Sequence, residues 1–176
     1  EPPSGYAYSK KIPFTVPQSP KTIEIVMEDK PTNLLVEKLT EAMVASPSEA
    51  EHQLSGFKLQ ILNADKSPAI AARTTEDFKA GEELIFTTGN QFKQLIGQLI
   101  AGQSYWLHEI SPRNGYAYAE DVMFTVSLDG REDIVLMVDK PTQVIVSKKA
   151  ITGDNELPGN YMSIRNMAGA VIEEWI

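Results

Sequence analysis

Three side chains in this sequence are of types that could react with one another: Lys38, Glu109 and Asp139. Lys38 sits inside an alternating apolar segment, flanked by Val36 and Leu39. Asp139 closes the apolar run Ile134 to Val138, just before Lys140-Pro141, where proline stops strand pairing. Glu109 lies within the apolar segment around Tyr105 and Leu107. An amine and two carboxyl groups gathered inside a protein face a large desolvation cost as separate charges. Burial favours the uncharged form of both group types, so a neutral amine beside a neutral acid becomes accessible. Such an amine can attack the carboxyl carbon, and loss of water then leaves an amide. A competing reading puts the same residues at strand ends on the solvent side, forming at most a weak surface ion pair. Spacing alone favours that second reading.

Other chemistry is poorly supplied. His52 and His108 stand far apart and the chain has no Cys, so neither a zinc spacing nor a disulfide framework is present. The acidic runs Glu82-Glu83, Glu173-Glu174 and Asp154-Asn155-Glu156 read as solvated turns, and the last lacks the ligand spacing of a calcium loop. No glycine-rich phosphate loop and no nucleophile elbow occurs. An ordinary turnover enzyme is therefore not expected, nor is a cofactor or a metal. A net charge of −8 argues against nucleic acid and anionic membrane surfaces as partners. No apolar run is long enough to insert this segment into a bilayer.

The elements that must position these side chains read almost entirely as strands. Residues 32–39 and 142–149 alternate apolar and polar side chains, the period of a half-buried strand. Leu54 to Leu62 alternates through Phe57, Leu59 and Ile61, and a turn follows at Asn63 to Pro68. Tyr105 to Ile110 forms a strand with Tyr105, Leu107 and Glu109 on one face. Val122–Val126 and Ile134–Val138 read as a hairpin around Asp129-Gly130, a two-residue turn signal. Thr40 to His52 breaks the pattern and suggests a long loop or a helical turn, and Thr75 to Glu83 fits neither pattern. About seven short strands in about 110 residues point to an all-β sandwich.

The chain also repeats itself. Gly5-Tyr6-Ala7-Tyr8, Phe14-Thr15-Val16 and Asp29-Lys30-Pro31-Thr32 return as Gly115-Tyr116-Ala117-Tyr118, Phe124-Thr125-Val126 and Asp139-Lys140-Pro141-Thr142. The offset is constant, and Lys38 and Lys148 keep it. An ungapped repeat of that length means tandem modules of one architecture. The boundaries it sets are 1–31 for the C-terminal part of one module, 32–142 for a complete module, and 143–176 for the start of a third. Lys148 and Asp29 are then the equivalents of Lys38 and Asp139 in the incomplete modules, where neither finds its own partner.

Specific motifs run along most of this length. Tyr105-Trp106-Leu107-His108-Glu109, Gly115-Tyr116 and Phe124-Thr125-Val126 resemble the signature of the collagen-adhesin B-type (Cna B-type) domain. Val146-Ser147-Lys148-Lys149, Thr152-Gly153 and Glu156-Leu157-Pro158-Gly159 resemble that family's first two strands, with Asn160 in place of the usual Ala. Met137-Val138-Asp139-Lys140-Pro141-Thr142 is similar to its last strand. The resemblance reverses the preference for the surface reading. It implies a transthyretin-like (prealbumin-like, inverse immunoglobulin) β-sandwich with a self-formed isopeptide bond between Lys38 and Asp139. Glu109 would hydrogen-bond the acid carbonyl and shuttle protons. The reaction occurs once per molecule, so the protein is not a turnover enzyme.

Such modules build stalks and shafts of Gram-positive pili and surface adhesins, which implies a location at the cell surface or cell wall. Neighbouring modules of the same polypeptide are the expected partners. Two alternatives remain. One is an adhesive module binding a host matrix protein or glycan through Thr40–His52 or Thr75–Gln98; the other is a self-assembling subunit pairing through its end fragments. Leu157-Pro158-Gly159-Asn160 lacks the Thr of a sortase signal, and no pilin-type Lys motif is visible.

Overall fold

Period-two alternation governs the strands. In a computed structural model that describes residues 1–46, 53–153 and 155–176, the chain is nearly all β. The elements are β1 (Asn33–Thr40), α1 (Glu41–Ala45), β2 (Lys58–Asn63), β3 (Ile85–Thr87), β4 (Lys93–Ile96), β5 (Ser104–Ser111), β6 (Val122–Thr125), β7 (Glu132–Asp139), β8 (Met162–Arg165) and β9 (Val171–Trp175). His52 and Asp154 lie outside the described residues.

The chain divides into two compact units, Glu1–Thr142 and Gln143–Ile176. The first holds a three-stranded sheet in the order β4-β1-β7 and a four-stranded sheet in the order β3-β2-β5-β6. Both sheets feed one hydrophobic core. Leu34, Val36, Leu95, Val135 and Met137 enter it from the first sheet; Leu59, Ile61, Phe86, Tyr105 and Leu107 enter it from the second. Each such side chain contributes about 1.5–3 kcal/mol on burial, which makes this core the principal stabiliser of the unit. β1 pairs β7 in parallel over its whole length, from Asn33 opposite Glu132 to Thr40 opposite Asp139. Parallel neighbours cannot be joined by a tight turn, and here α1 and β2 to β6 lie in the chain between the two paired strands.

Two sequence expectations are corrected. Val122–Val126 and Ile134–Val138 do not form a hairpin: β6 pairs β5, β7 pairs β1, and the two belong to different sheets. The turn at Asp129-Gly130 exists, with Gly130 at φ 67°, but it carries the chain from one sheet to the other. The Asp133 carboxylate takes hydrogen bonds from both the amide and the hydroxyl of Ser127, which fixes this arch. Residues 142–149 do not form a strand either; Lys149 makes a single bridge to Glu156. Alternation marks a side-chain pattern, but a strand also needs a ladder, and no neighbouring strand pairs with residues 143–148 among the described residues. The second unit is built on the antiparallel pair β8–β9.

The break at Thr40 is a short helix. The Thr40 hydroxyl accepts from the Met43 amide and caps the five residues of α1. Thr75 to Glu83 is a series of turns anchored by buried Phe78, whose carbonyl accepts from the Thr75 amide.

Candidate functional site

Alternation along three strands delivers three charged groups to one place. The inward-facing series are Leu34, Val36 and Lys38 on β1; Val135, Met137 and Asp139 on β7; and Tyr105, Leu107 and Glu109 on β5. Each series runs through two apolar residues and ends on an ionisable one. The three ends meet at the same edge of the core.

Lys38 Nζ lies 2.7 Å from Asp139 Oδ1 and 3.0 Å from Glu109 Oε1, and all three side chains have no exposed surface. The ammonium donates to Asp139 Oδ1, whereas its approach to Glu109 Oε1 does not have hydrogen-bond geometry. Asp139 Oδ2 has no hydrogen-bond partner among the described residues. Glu109 is held from its other oxygen, which accepts from the Ala119 amide at 2.8 Å. If fully ionised the cluster would carry one net negative charge in a dry site, which burial opposes strongly. One proton on the carboxyl pair makes it neutral. The shift at Asp139 has that direction: burial raises its pKa above the ordinary 3.8, the Lys38 ammonium opposes this, and the Glu109 charge adds to the rise.

Four neighbours of the cluster were not evident from residue types. Phe57, fully buried, lies with its ring centroid 5.1 Å from Lys38 Nζ. Tyr116 meets Phe57 edge-on, with centroids 5.2 Å apart. β4 pairs β1 only as far as Val36, leaving the Lys38 backbone without a strand on that side. Buried Gln53 fills the gap: its side-chain oxygen accepts from the Lys38 amide at 3.2 Å, and the Leu54 amide donates to the Lys38 carbonyl at 2.7 Å. The fourth neighbour, the Ala119 amide, is a main-chain group in a segment without secondary structure. No side-chain pattern announces it.

The remaining candidates lie apart from this cluster. His108 occupies the opposite face of β5, where its Nδ1 is 2.7 Å from Asp121 Oδ1; Lys66 reaches the same carboxylate at 2.5 Å. Lys148 is exposed and donates to Asn160 Oδ1 at 3.1 Å, and exposed Asp29 accepts from the Ser9 hydroxyl. Among the described residues neither is joined to the carboxylate or amine that would correspond to the Lys38–Asp139 pair. Among the described residues no group of three or more His, Asp or Glu side chains could hold a metal ion. No helix among them is long and apolar enough to cross a membrane.

Solved structures similar to this chain include pilins of Gram-positive bacteria. The shaft pilin SpaA of Lactobacillus rhamnosus GG is 16% identical, with a TM-score of 0.45 over 82% of this chain and 67% of that one. The minor pilin of Streptococcus agalactiae is 15% identical, with a TM-score of 0.43 over 66% of this chain and 48% of the pilin. The TIE protein of Bacillus anthracis is 18% identical, with a TM-score of 0.46 over 99% of this chain and 30% of that one. The chain thus spans from about two thirds to less than a third of the proteins it matches. No family model matches it, and no curated protein does.

Proposed function

We propose that Lys38 and Asp139 are joined by a self-formed isopeptide bond, and that the chain is a stalk module of a Gram-positive surface adhesin or pilin. One observation carries the reading: an amine and a carboxyl 2.7 Å apart, both without exposed surface, on the first and last strands of one unit. A surface ion pair would be solvated and worth little, so a fully buried pair beside a second acid needs another reason to exist. Amide formation supplies that reason, because it removes both charges permanently.

The chemistry follows from the protonation of a neutral cluster. Moving one proton from Nζ to the carboxyl pair gives an amine and two carboxylic acids, with no net change of charge. The Nζ lone pair then attacks Asp139 Cγ and the Nζ–Cγ bond forms. Glu109 protonates the departing oxygen and takes a proton from Nζ, so the Cγ–O bond breaks with release of one water and Glu109 is restored. Fixed proximity in a packed site supplies most of the acceleration.

On this reading the module is a transthyretin-like sandwich spanning 32–142, preceded by the end of one module (1–31) and followed by the start of another (143–176). Its partners are neighbouring modules of the same polypeptide. A covalent bond between first and last strand suits a Cys-free chain at a cell surface, since it takes the place of a disulfide.

Intact-mass measurement tests the bond. The folded chain is expected about 18 Da below its sequence mass, one water lost, with Lys38→Ala and Asp139→Ala at full mass. Full mass in the unaltered chain, or a deficit that persists in Lys38→Ala, overturns the proposal.

A further inference from the structure

The segment ahead of β1 folds into a clasp that occurs twice. In the first copy the Tyr6 amide donates to the Pro3 carbonyl, Ala7 to Lys30, and Thr32 to Gly5, at 3.0, 2.8 and 3.0 Å. In the second the Tyr116 amide donates to Arg113, Ala117 to Lys140, and Thr142 to Gly115, at 3.1, 3.0 and 2.8 Å. The bridges Tyr6–Pro31 and Tyr116–Pro141 match, and Gly5 and Gly115 share a left-handed backbone at φ 85° and 91°. The repeated residues thus fold into a repeated object.

Their surroundings differ. The first clasp is seated on the loops of the module that follows it. The Gly97 amide donates to the Thr32 carbonyl at 2.7 Å, the Thr32 hydroxyl to the Leu99 carbonyl at 2.9 Å, and the Tyr8 amide to the Leu128 carbonyl at 2.8 Å. Arg73 donates to the Tyr6 hydroxyl at 3.0 Å and lies over its ring. Ala7 and Thr32 are buried, at 1% and 2% exposure, and a side chain on Gly5 would run into the Gly97 carbonyl. In the second clasp Gly115, Ala117 and Thr142 are exposed, Tyr118 is 67% exposed, and nothing among the described residues lies within 4 Å of where a Gly115 side chain would begin.

We propose that the exposed face of the second clasp (Gly115, Ala117, Tyr118 and Thr142) is the seat for a further module of the 33–142 kind, docked through the loops that carry Arg73, Gly97, Leu99 and Leu128. The clasp is then a fixed joint between successive modules. Two of its hydrogen bonds, from Gly97 to Thr32 and from Tyr8 to Leu128, are main-chain on both sides, so they suit any module that presents the same loop backbone. The joint rests on the tandem-module reading, and its test is independent of the Lys38–Asp139 bond.

The test begins with the chain as it is. Ala7→Arg is expected to release the Tyr8 amide, raising its hydrogen-exchange rate at least about tenfold, while β1 to β7 stay protected. Replacing residues 143–176 by a second copy of 33–142 puts Thr142 where Thr32 stands. There the Tyr118 amide is expected to gain about tenfold protection and the two modules to tumble as one body. Ala117→Arg, at a position exposed in the present chain, is expected to leave its melting temperature unchanged yet abolish the gain in the extended chain. Tyr8 keeping its protection in Ala7→Arg overturns the proposal. So does a Tyr118 that exchanges equally fast in both chains, or one whose protection survives Ala117→Arg.

Discussion

Glu109→Gln separates the covalent bond from everything else in the site. Glutamine keeps the length and shape of the side chain, and its carbonyl oxygen can still accept from the Ala119 amide. It cannot deliver a proton to a departing oxygen, so Lys38 and Asp139 are expected to remain a buried ion pair and the chain to keep its full mass. The linked residues are 101 positions apart. Closing a loop of that length lowers the entropy of the unfolded chain by an amount worth about 4.7 kcal/mol at 25 °C. At about 2–4 °C per kcal/mol for a unit of this size, the unlinked variant should melt roughly 10–20 °C lower. Thermal melts by circular dichroism, with intact masses from the same samples, read both effects together. A full-mass variant melting within about 3 °C of the linked protein would refute the reasoning about the bond. A variant that loses water as completely as the unaltered chain would refute the role of Glu109.

Lys38→Met removes both influences that hold the Asp139 pKa down, leaving burial and Glu109, which raise it. The folded state then keeps a proton that the unfolded state releases, so stability is expected to fall as pH rises above the ordinary value of 3.8. Urea midpoints against pH, compared with Lys38→Met/Asp139→Asn, check the sign; a single variant that gains stability relative to the double one as pH rises contradicts it. Phe57→Ala should cost about 3–5 kcal/mol by emptying a fully buried site, and should raise the full-mass fraction by admitting water beside the amine. A loss below about 1 kcal/mol in chemical denaturation would show that Phe57 does not pack as described. Lys66 pairs with Asp121 and lies 3.5 Å from the Trp106 ring centroid, but it is exposed, so Lys66→Ala is expected to cost no more than about 1 kcal/mol. A loss above about 2 kcal/mol would show a larger network there.

Much of the site's geometry can be read from alternation alone. Tyr105, Leu107 and Glu109 share a face because strands have a period of two, and the same rule aligns Val36 with Lys38 and Met137 with Asp139. The parallel pairing of β1 with β7 is not written in either segment; the resemblance implied a bond between Lys38 and Asp139 and not how their strands pair. What escaped the sequence is non-local or made of backbone. Gln53 caps a strand edge that exists only because β4 stops at Val36, and the Ala119 amide has no side-chain signature. Asp129-Gly130 reports that the chain reverses but not which sheet receives it, and burial of the two inner faces decides that. In the same way, the alternation of residues 142–149 describes side chains, while residues 143–148 have no ladder partner among the described residues.

The parallel register of β1 and β7 has a mechanical consequence. The chain enters β1 at Asn33 and leaves β7 at Asp139, at opposite ends of the shared ladder. A pull on the two ends would therefore shear the pairs from Asn33–Glu132 to Thr40–Asp139 together instead of opening them one after another. With the Lys38–Asp139 bond made, the load runs along β1 from Asn33 to Lys38, crosses the amide and departs. Residues 39–138, holding β2 to β6 and most of the core, lie outside that path. Such a module could carry force through β1 without unfolding residues 39–138, and would lengthen by no more than the slack in six residues of one strand.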